Sequence, residues 1–179
     1  QVEMLPKLVE QTLGRIPLEV AQAYKNYYEI AFQMVENDPR QRVADIVLSL
    51  AGIVIGLPIA AAIALAIWLD SGRPILFKQE RVGKDGEIFT IRKFRTMTVH
   101  DDGREGDIEH EQQYITRVGR FIRRSRLDEL PQLWDVLRGK MSLVGPRPEM
   151  ERFHKECLEN ISWYGYRLSL RPGITGWAQ

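Results

Sequence analysis

The 179-residue sequence is poor in the residues that build disulfide frameworks and metal sites. It has one cysteine, Cys157, and three histidines. A single thiol cannot form an intramolecular disulfide or supply a CxxC metal or redox site, and it fits a reducing compartment. An excess of charge of one sign is also missing, because the formal net charge is +1. This balance argues against a dedicated nucleic-acid binder.

The composition is otherwise that of a globular protein, but its charges are unevenly distributed. Residues 1–45 carry five basic and seven acidic side chains, whereas residues 73–126 carry thirteen basic and nine acidic side chains. Between Ile46 and Leu69 there is no charged residue. The chain therefore consists of an acidic leading segment, an uncharged run and a more basic remainder.

The uncharged run, 24 residues from Ile46 to Leu69, predicts a membrane helix. About 20 apolar residues are enough to cross the hydrocarbon core, and this run begins too late for a cleaved signal peptide. Pro58, near its middle, removes an intrahelical hydrogen bond. Two interpretations stay open: a kinked spanning helix, and a re-entrant hairpin broken at Pro58. Basic residues flank both ends of the run, which favours both ends lying on the cytoplasmic side.

Two strand-like runs follow, at residues 75–82 and 87–97, and the Asp-Gly in the link between them predicts a β-hairpin. Lys93 and Arg95 are two residues apart, so we expect them on one face of the second strand. There they could bind a phosphate. The alternative is a solvated edge strand, on which basic side chains discourage aggregation.

Residues 117–126 contain five arginines in ten positions. A basic amphipathic helix beside a membrane segment is typical of an interfacial helix that binds anionic headgroups. A plain solvated helix face is the first alternative. Nucleic-acid binding is the second, and no reading motif accompanies it.

The segment 125–139 predicts a helix that begins near Asp128, because Pro131 is tolerated only in a first turn. In one interpretation Asp128 is an N-cap, and Ser125 starts a capping box. In the other, the helix terminus and the neighbouring arginines keep the Asp128 carboxylate ionised and available as a nucleophile. Glu129 would then help to hold Mg²⁺, which prefers carboxylate together with phosphate oxygens.

Two loops rich in proline and glycine carry further arginines. Arg147 lies between Pro146 and Pro148, whose fixed backbone suits an arginine clamp on phosphate. Arg171, followed by Pro172, lies in a loop of the same kind. For both loops the alternative is a purely structural turn.

Together these segments resemble one family, the bacterial sugar transferases, which are monotopic phosphoglycosyl transferases that start exopolysaccharide and O-antigen synthesis. The resemblance spans about residues 40–179. It rests on the order of five segments: the membrane run with its central proline, KFRTM at 93–97, LDELPQL at 127–133, SLVGPRP at 142–148 and RPGITGWAQ at 171–179.

We therefore expect a membrane-associated α/β fold, mainly α, with a small β-hairpin and amphipathic interfacial helices. The resemblance favours the re-entrant form of the membrane helix 46–69, broken at Pro58. It implies that residues 1–39 are a linker or the tail of an upstream region. Residues 40–179 would be the catalytic domain, continuing beyond Gln179.

The resemblance also implies a reaction, in which a sugar 1-phosphate passes from a UDP-sugar to undecaprenyl phosphate and UMP is released. Asp128 matches the family's nucleophile, which forms a covalent phosphosugar intermediate, and Glu129 matches its partner in holding Mg²⁺. The other candidates bind nucleotide or phosphate: Arg147 in the Pro-Arg-Pro motif, and the basic residues Lys93, Arg95, Arg123 and Arg171.

The expected location is the cytoplasmic face of the bacterial inner membrane. The expected partners are UDP-sugar, undecaprenyl phosphate and membrane lipid, with no nucleic acid, and a homodimer is reasonable for long family members. A non-catalytic, membrane-tethered scaffold of a polysaccharide assembly complex is the alternative. The motifs do not specify the sugar.

Overall fold

The computed structural model describes Val20, Ala23 and residues 38–98, 114–161 and 164–176. The chain divides into two compact units, Gln1–Asp38 and Pro39–Gln179. Most of the predicted linker, and residues 177–179 of the last motif, lie outside the described residues. The elements below belong to the second unit.

The uncharged run lies within one long helix, α1 (Pro39–Ser71), which continues through Pro58, so the expected break at Pro58 is not found. A proline removes one hydrogen bond of a helix, and a long helix can accommodate that loss without ending. At about 1.5 Å per residue, its 33 residues extend over roughly 50 Å. In the part of the chain that the structure describes, it is the one helix long and apolar enough to cross a membrane. Its buried side is narrow, and large apolar side chains such as Ile55 and Leu69 are about three-quarters exposed, at 72% and 73%. A surface of this kind favours contact with lipid.

The predicted hairpin is confirmed. Strand β1 (Leu76–Val82) pairs antiparallel with β2 (Ile88–Phe94), so that Val82 lies opposite Ile88. The single 3₁₀ turn between the strands, Lys84–Gly86, ends on Gly86, whose φ of 80° is a conformation that glycine adopts readily.

The arginine-rich segment forms helix α2 (Arg117–Arg124). Thr116 caps it, since its hydroxyl oxygen accepts a hydrogen bond from the Gly119 amide at 2.9 Å. Ile122 is buried, whereas Phe121 is 67% exposed among the arginines. The segment is therefore amphipathic, with an apolar ring on its outer surface beside basic side chains.

A helix begins near Asp128, as predicted, but it is a 3₁₀ helix and Asp128 is not its N-cap. After α2 the chain forms the 3₁₀ helix, Leu127–Gln132, and then a short helix α3 (Leu133–Leu137). The residue that precedes the 3₁₀ helix is Arg126, in the left-handed conformation with φ of 57°, and Asp128 lies inside the helix. The Ser125 hydroxyl donates back to Phe121 O at 3.0 Å, so the predicted capping box is absent as well.

The C-terminal part brings the two proline-containing loops side by side. Strand β3 (Ser142–Val144) pairs parallel with β4 (Gly173–Thr175), and helix α4 (Glu151–Asn160) and a 3₁₀ helix (Tyr164–Ser169) lie between them in sequence. The Gly173 amide donates to Pro146 O at 2.9 Å. A side chain on Gly173 would overlap the Gly145 backbone, so this close approach requires glycine.

Two apolar clusters hold these elements together, and β2 contributes to both. The first joins α1, β2 and α2 through Ile63, Ile67, Phe94 and Ile122. The second joins β2 to α3 and to the residue before β3 through Phe89, Ile91, Val136 and Met141. The membrane helix is thus part of the core, and the fold is mainly helical with small sheets, as predicted.

Candidate active site

A buried ion pair lies at the centre of the candidate site. Lys93 Nζ, from β2, lies 2.8 Å from Glu129 Oε1, on the 3₁₀ helix, and the two side chains are 20% and 9% exposed. Arg147 Nη2, from the loop after β3, lies 3.9 Å from the same oxygen. The fold therefore brings three of the predicted site residues together from three separate segments.

Asp128 lies next to this cluster on the same 3₁₀ helix, Leu127–Gln132. Successive residues of a 3₁₀ helix are rotated by about 120°, so Asp128 and Glu129 lie on different faces, but the Asp128 carboxyl is close enough to Lys93 and Glu129 for both charges to act on its pKa. Burial raises the pKa of the Asp128 carboxyl above its ordinary value, the nearby Lys93 opposes the rise, and the negative charge of Glu129 adds to it. The pKa is therefore raised and not lowered, because desolvation outweighs the neighbouring cations.

An open cleft lies beside the ion pair, and its space of about 250 Å³ includes open solvent. Its walls come from β1, β2, β4, the 3₁₀ helix Leu127–Gln132 and the loop after β3. They consist of Arg81, Ile91, Lys93, Glu129, Gln132, Arg147, Pro148, Gly173 and Ile174. Three cationic side chains therefore face a cleft to which one carboxylate contributes. This excess of positive charge suits an anionic ligand with several oxygens.

Arg81 is a cleft residue that the sequence did not identify as functional. Its Nη1 donates to Pro148 O at 3.3 Å, which ties β1 to the loop of Arg147. Burial lowers the pKa of Arg81, partly offset by Glu149, and the positive charge of Arg147 contributes to the lowering. The sequence around Arg81 offers little indication of a binding role, since a basic residue in an edge strand usually faces solvent.

Arg95 does not share the surroundings of Lys93. Its Nη2 donates to Ser71 O at 2.7 Å, to Ser71 Oγ at 2.8 Å and to Gly72 O at 2.8 Å. The prediction of a shared face was wrong because β2 ends at Phe94, so the alternation of a strand does not extend to residue 95. Arg95 holds the C-terminal end of α1.

The two remaining arginine candidates, Arg123 and Arg171, are not among the residues that line the cleft. Arg123 Nη2 is 3.4 Å from Met97 Sδ, and its charge lowers the pKa of Asp128, so it lies near that carboxylate. Arg171 belongs to the loop packed against Gly145.

Polar residues at the start of α1 bind the same domain. The Arg42 guanidinium donates to Val136 O and Leu137 O, both at 2.7 Å, at the end of α3. An Asp45 carboxylate oxygen accepts from the Leu143 amide at 2.9 Å. The beginning of α1 is therefore fixed to α3 and β3.

The middle of α1 supports the segment that carries the carboxylates. A Cβ added to Gly52 would lie 3.1 Å from a methyl of Leu133, and one added to Gly56 would lie 3.7 Å from a methyl of Leu130. The absence of side chains at these two positions lets the 3₁₀ helix and α3 approach the helix axis closely. Asp128 and Glu129 thus rest, through Leu130, on the membrane helix.

The carboxylates fit Mg²⁺ only in a site that a ligand completes. Across residues 38–98, 114–161 and 164–176 there is no group of three or more His, Cys, Asp or Glu side chains that could hold a metal. Mg²⁺ is commonly bound by one or two carboxylates plus substrate phosphates. Asp128 and Glu129 supply two carboxylates next to a cleft that suits an anion, so the donor set fits this shared arrangement.

Comparison with known proteins identifies relatives of this chain. A UDP-N-acetylgalactosamine-undecaprenyl-phosphate N-acetylgalactosaminephosphotransferase of Aeromonas hydrophila is 42% identical over 145 residues, covering 78% of this chain and 33% of the relative. A UDP-glucose:undecaprenyl-phosphate glucose-1-phosphate transferase of Escherichia coli (strain K12) is 41% identical, covering 78% of this chain and 30% of the relative.

A third relative, the UDP-glucose:undecaprenyl-phosphate glucose-1-phosphate transferase of Caulobacter vibrioides, is 43% identical, covering 79% of this chain and 54% of the relative. The chain thus spans about a third of the first two relatives and about half of the third. The sequence model described as "Bacterial sugar transferase" matches residues 36–179. The resemblance seen in the motifs is confirmed, and the chain belongs to the bacterial sugar transferase family.

Proposed function

We propose that this chain carries the catalytic domain of an enzyme that transfers a sugar 1-phosphate from a UDP-sugar to undecaprenyl phosphate and releases UMP. The observation that carries the proposal is the buried Lys93–Glu129 pair, with Arg147 beside it, at a cleft next to Asp128. The three relatives described above are named for transfer to undecaprenyl phosphate from UDP-sugars that differ in the sugar. Their names leave the sugar used by this chain open.

The cleft supplies the charge that such a reaction needs. Phosphoryl transfer depends mainly on positioning and on neutralisation of oxygen charge. Arg81, Lys93 and Arg147 line the cleft and face the diphosphate in the proposed complex. Mg²⁺, held by Asp128 and Glu129 together with substrate oxygens, would supply further neutralisation of the diphosphate when bound.

The proposed chemistry has two displacements at one phosphorus atom. In the first, an Asp128 carboxylate oxygen attacks the phosphorus that carries the sugar, the bond to the UMP oxygen breaks, and UMP leaves with the bonding electrons. In the second, a phosphate oxygen of undecaprenyl phosphate attacks the same phosphorus, and Asp128 leaves as a carboxylate. Burial favours this role, because a carboxylate removed from water is a stronger nucleophile once it is ionised.

Asp128→Asn tests the enzyme directly. We expect UMP release from one or a few UDP-sugars, dependent on Mg²⁺ and undecaprenyl phosphate, and a loss of at least about 10³-fold in the variant, in the range seen when a nucleophile is removed. The alternative is a non-catalytic scaffold, which predicts no UMP from any donor. If the full-length protein released no UMP from any UDP-sugar tested, the result would contradict the proposed enzyme and favour the scaffold.

We also propose that both ends of α1 lie at the same face of the membrane, the cytoplasmic one. Both of its ends bind the same polar domain: Arg42 binds the end of α3, and Arg95, beyond β2, binds Ser71. A spanning helix would separate its ends by about 30 Å of hydrocarbon, with the domain on one side only. The exposed apolar side of α1 would then face lipid.

Cysteine labelling tests this topology. In a Cys157→Ser background, Arg40→Cys and Arg73→Cys place thiols at exposed positions before and after the apolar run. We expect a membrane-impermeant maleimide to label both from the cytoplasmic side only. Labelling from opposite sides would show a spanning helix. A homodimer stays a prediction, which the mass of the purified protein in detergent would test.

A further inference from the structure

One buried side-chain amide nitrogen in the cleft, that of Gln132, lacks a hydrogen-bond partner among the described residues. Gln132, the last residue of the 3₁₀ helix, is 3% exposed and lines the cleft. A buried amide left without a partner is destabilising, and native structures keep few of them. A ligand that supplies the missing acceptor would explain why this one is retained.

The 3₁₀ helix places Gln132 directly beside Glu129. Such a helix has three residues per turn, so side chains at positions i and i+3 eclipse each other. Glu129 and Gln132 therefore share one face, and both are buried there, at 8% and 3% exposure. Asp128 directly precedes Glu129 on the same short helix. The amide is thus fixed by the backbone element that carries the two carboxylates.

The surrounding charges indicate which acceptor is missing. Arg81 also lines the cleft, and its buried Nε has no partner among the described residues either. With Lys93 and Arg147 the cleft offers many donors and one carboxylate. Its complement is an anion with several acceptor oxygens and no donors of its own, which describes a diphosphate better than a sugar hydroxyl.

We propose that Gln132 is a substrate-binding residue whose side-chain amide donates a hydrogen bond to a diphosphate oxygen of the nucleotide sugar. This inference rests on the proposed function and names a contact in the same site. The terminal torsion of glutamine has a broad energy minimum, so the amide turns toward a ligand in the cleft at little cost. Because Gln132 lies next to Glu129, the diphosphate oxygen that accepts this hydrogen bond would belong to the phosphate group near the carboxylates.

Gln132→Met removes the amide and keeps the length of the side chain. We expect its melting temperature in detergent to stay equal or rise, because a buried unpartnered amide is lost. We expect kcat/KM for the UDP-sugar to fall about 10- to 100-fold, the usual effect of one hydrogen bond to a charged group. The rise in melting temperature caused by UDP with Mg²⁺ should shrink in parallel. Gln132→Glu adds a negative charge, so we expect it to lower kcat/KM, and to reduce the rise in melting temperature caused by UDP with Mg²⁺, more than Gln132→Met does.

Gln41→Met is the matched control. The Gln41 amide donates to Ser142 Oγ at 3.0 Å and to Val144 O at 3.1 Å, so its partners lie within the protein. We expect this variant to melt at a lower temperature and to keep kcat/KM within about twofold. The two variants thus separate an amide that serves the fold from one that serves a ligand.

Three results would overturn the inference. One is a Gln132→Met protein with native kcat/KM and a native response to UDP, which leaves the transferase intact and removes the contact. Another is a loss of activity in Gln132→Met that is fully explained by a smaller amount of folded protein, together with an activity of Gln132→Glu no lower than that of Gln132→Met. The third is an unaltered protein that neither releases UMP nor responds to UDP, in which case the proposed function fails and this contact fails with it.

Discussion

Replacing Lys93 by methionine would leave Glu129 as a buried carboxylate with one distant cation. Glu129 is 9% exposed in its side chain, and after the change its nearest remaining cation is Arg147, at 3.9 Å. Removing one partner of a fully buried ion pair costs about 3–5 kcal/mol. Lys93 is 20% exposed and Arg147 remains, so we expect a smaller loss of about 2 kcal/mol. At about 2–4 °C per kcal/mol, the melting temperature should fall by about 4–8 °C.

An exposed ion pair of the same length provides the control. Lys155 Nζ lies 2.7 Å from Glu151 Oε1 on α4, but the two side chains are 69% and 46% exposed. Exposed pairs of this kind contribute little, since water solvates both charges. Lys155→Met should therefore leave the melting temperature unchanged. Thermal unfolding in detergent, followed by tryptophan fluorescence, measures both variants under the same conditions.

The double variant Lys93→Met/Glu129→Gln separates the charge from the packing. Without the carboxylate there is no buried charge to compensate, so part of the lost stability should return. Equal melting temperatures for Lys93→Met and Lys155→Met would refute the reasoning, because burial would then make no difference to the pair. A double variant less stable than Lys93→Met would show that Lys93 acts through packing.

Two further predictions concern stability. Burial raises the pKa of Asp128 in the folded state. The folded protein therefore gains stability from the protonated carboxyl below the unfolded-state pKa, and it loses that stability as pH rises through the folded-state pKa. Asp128→Asn should therefore raise the melting temperature at neutral pH and have no such effect in acid, and an increase that is the same at every pH would contradict the raised pKa. A Cβ at Gly119 would overlap the Thr96 carbonyl group, 2.6 Å from its carbon, so Gly119→Ala should cost at least about 2 kcal/mol in denaturant unfolding. Gly165→Ala, whose Cβ would meet Leu158 at an ordinary 3.9 Å, should cost less than half as much.

The elements that were predicted correctly from the sequence have strong local signals. An uncharged run predicts α1 whatever surrounds it, and the Asp-Gly link predicts the hairpin because few residues adopt the turn conformation that Gly86 has. The start of the 3₁₀ helix had no such signal. It depends on Arg126 in the left-handed conformation, which arginine rarely adopts, so an N-cap at Asp128 was the more ordinary expectation.

The site residues divide in the same way. Lys93, Glu129 and Arg147 were named by motif, and their meeting in one cluster depends on contacts between β2, the 3₁₀ helix and the loop after β3. Arg81 and Gln132 were missed, because a missing hydrogen-bond partner is a property of the tertiary structure. The spacing of Gln132 from Glu129 becomes informative only once that segment is known to be a 3₁₀ helix, in which three residues complete a turn.

The contacts of α1 also bear on where the chemistry takes place. Leu130 packs at Gly56, only two positions before Pro58, so the carboxylates lie above the middle of the apolar helix. In a spanning helix that middle would lie about 15 Å from either edge of the hydrocarbon core, where charged side chains are costly. The cleft, with Lys93, Glu129 and Arg147, cannot lie at that depth and still admit a nucleotide from water. A helix that stays near one membrane face removes the conflict, because its exposed side meets the acyl chains while the cleft above it stays in the headgroup region.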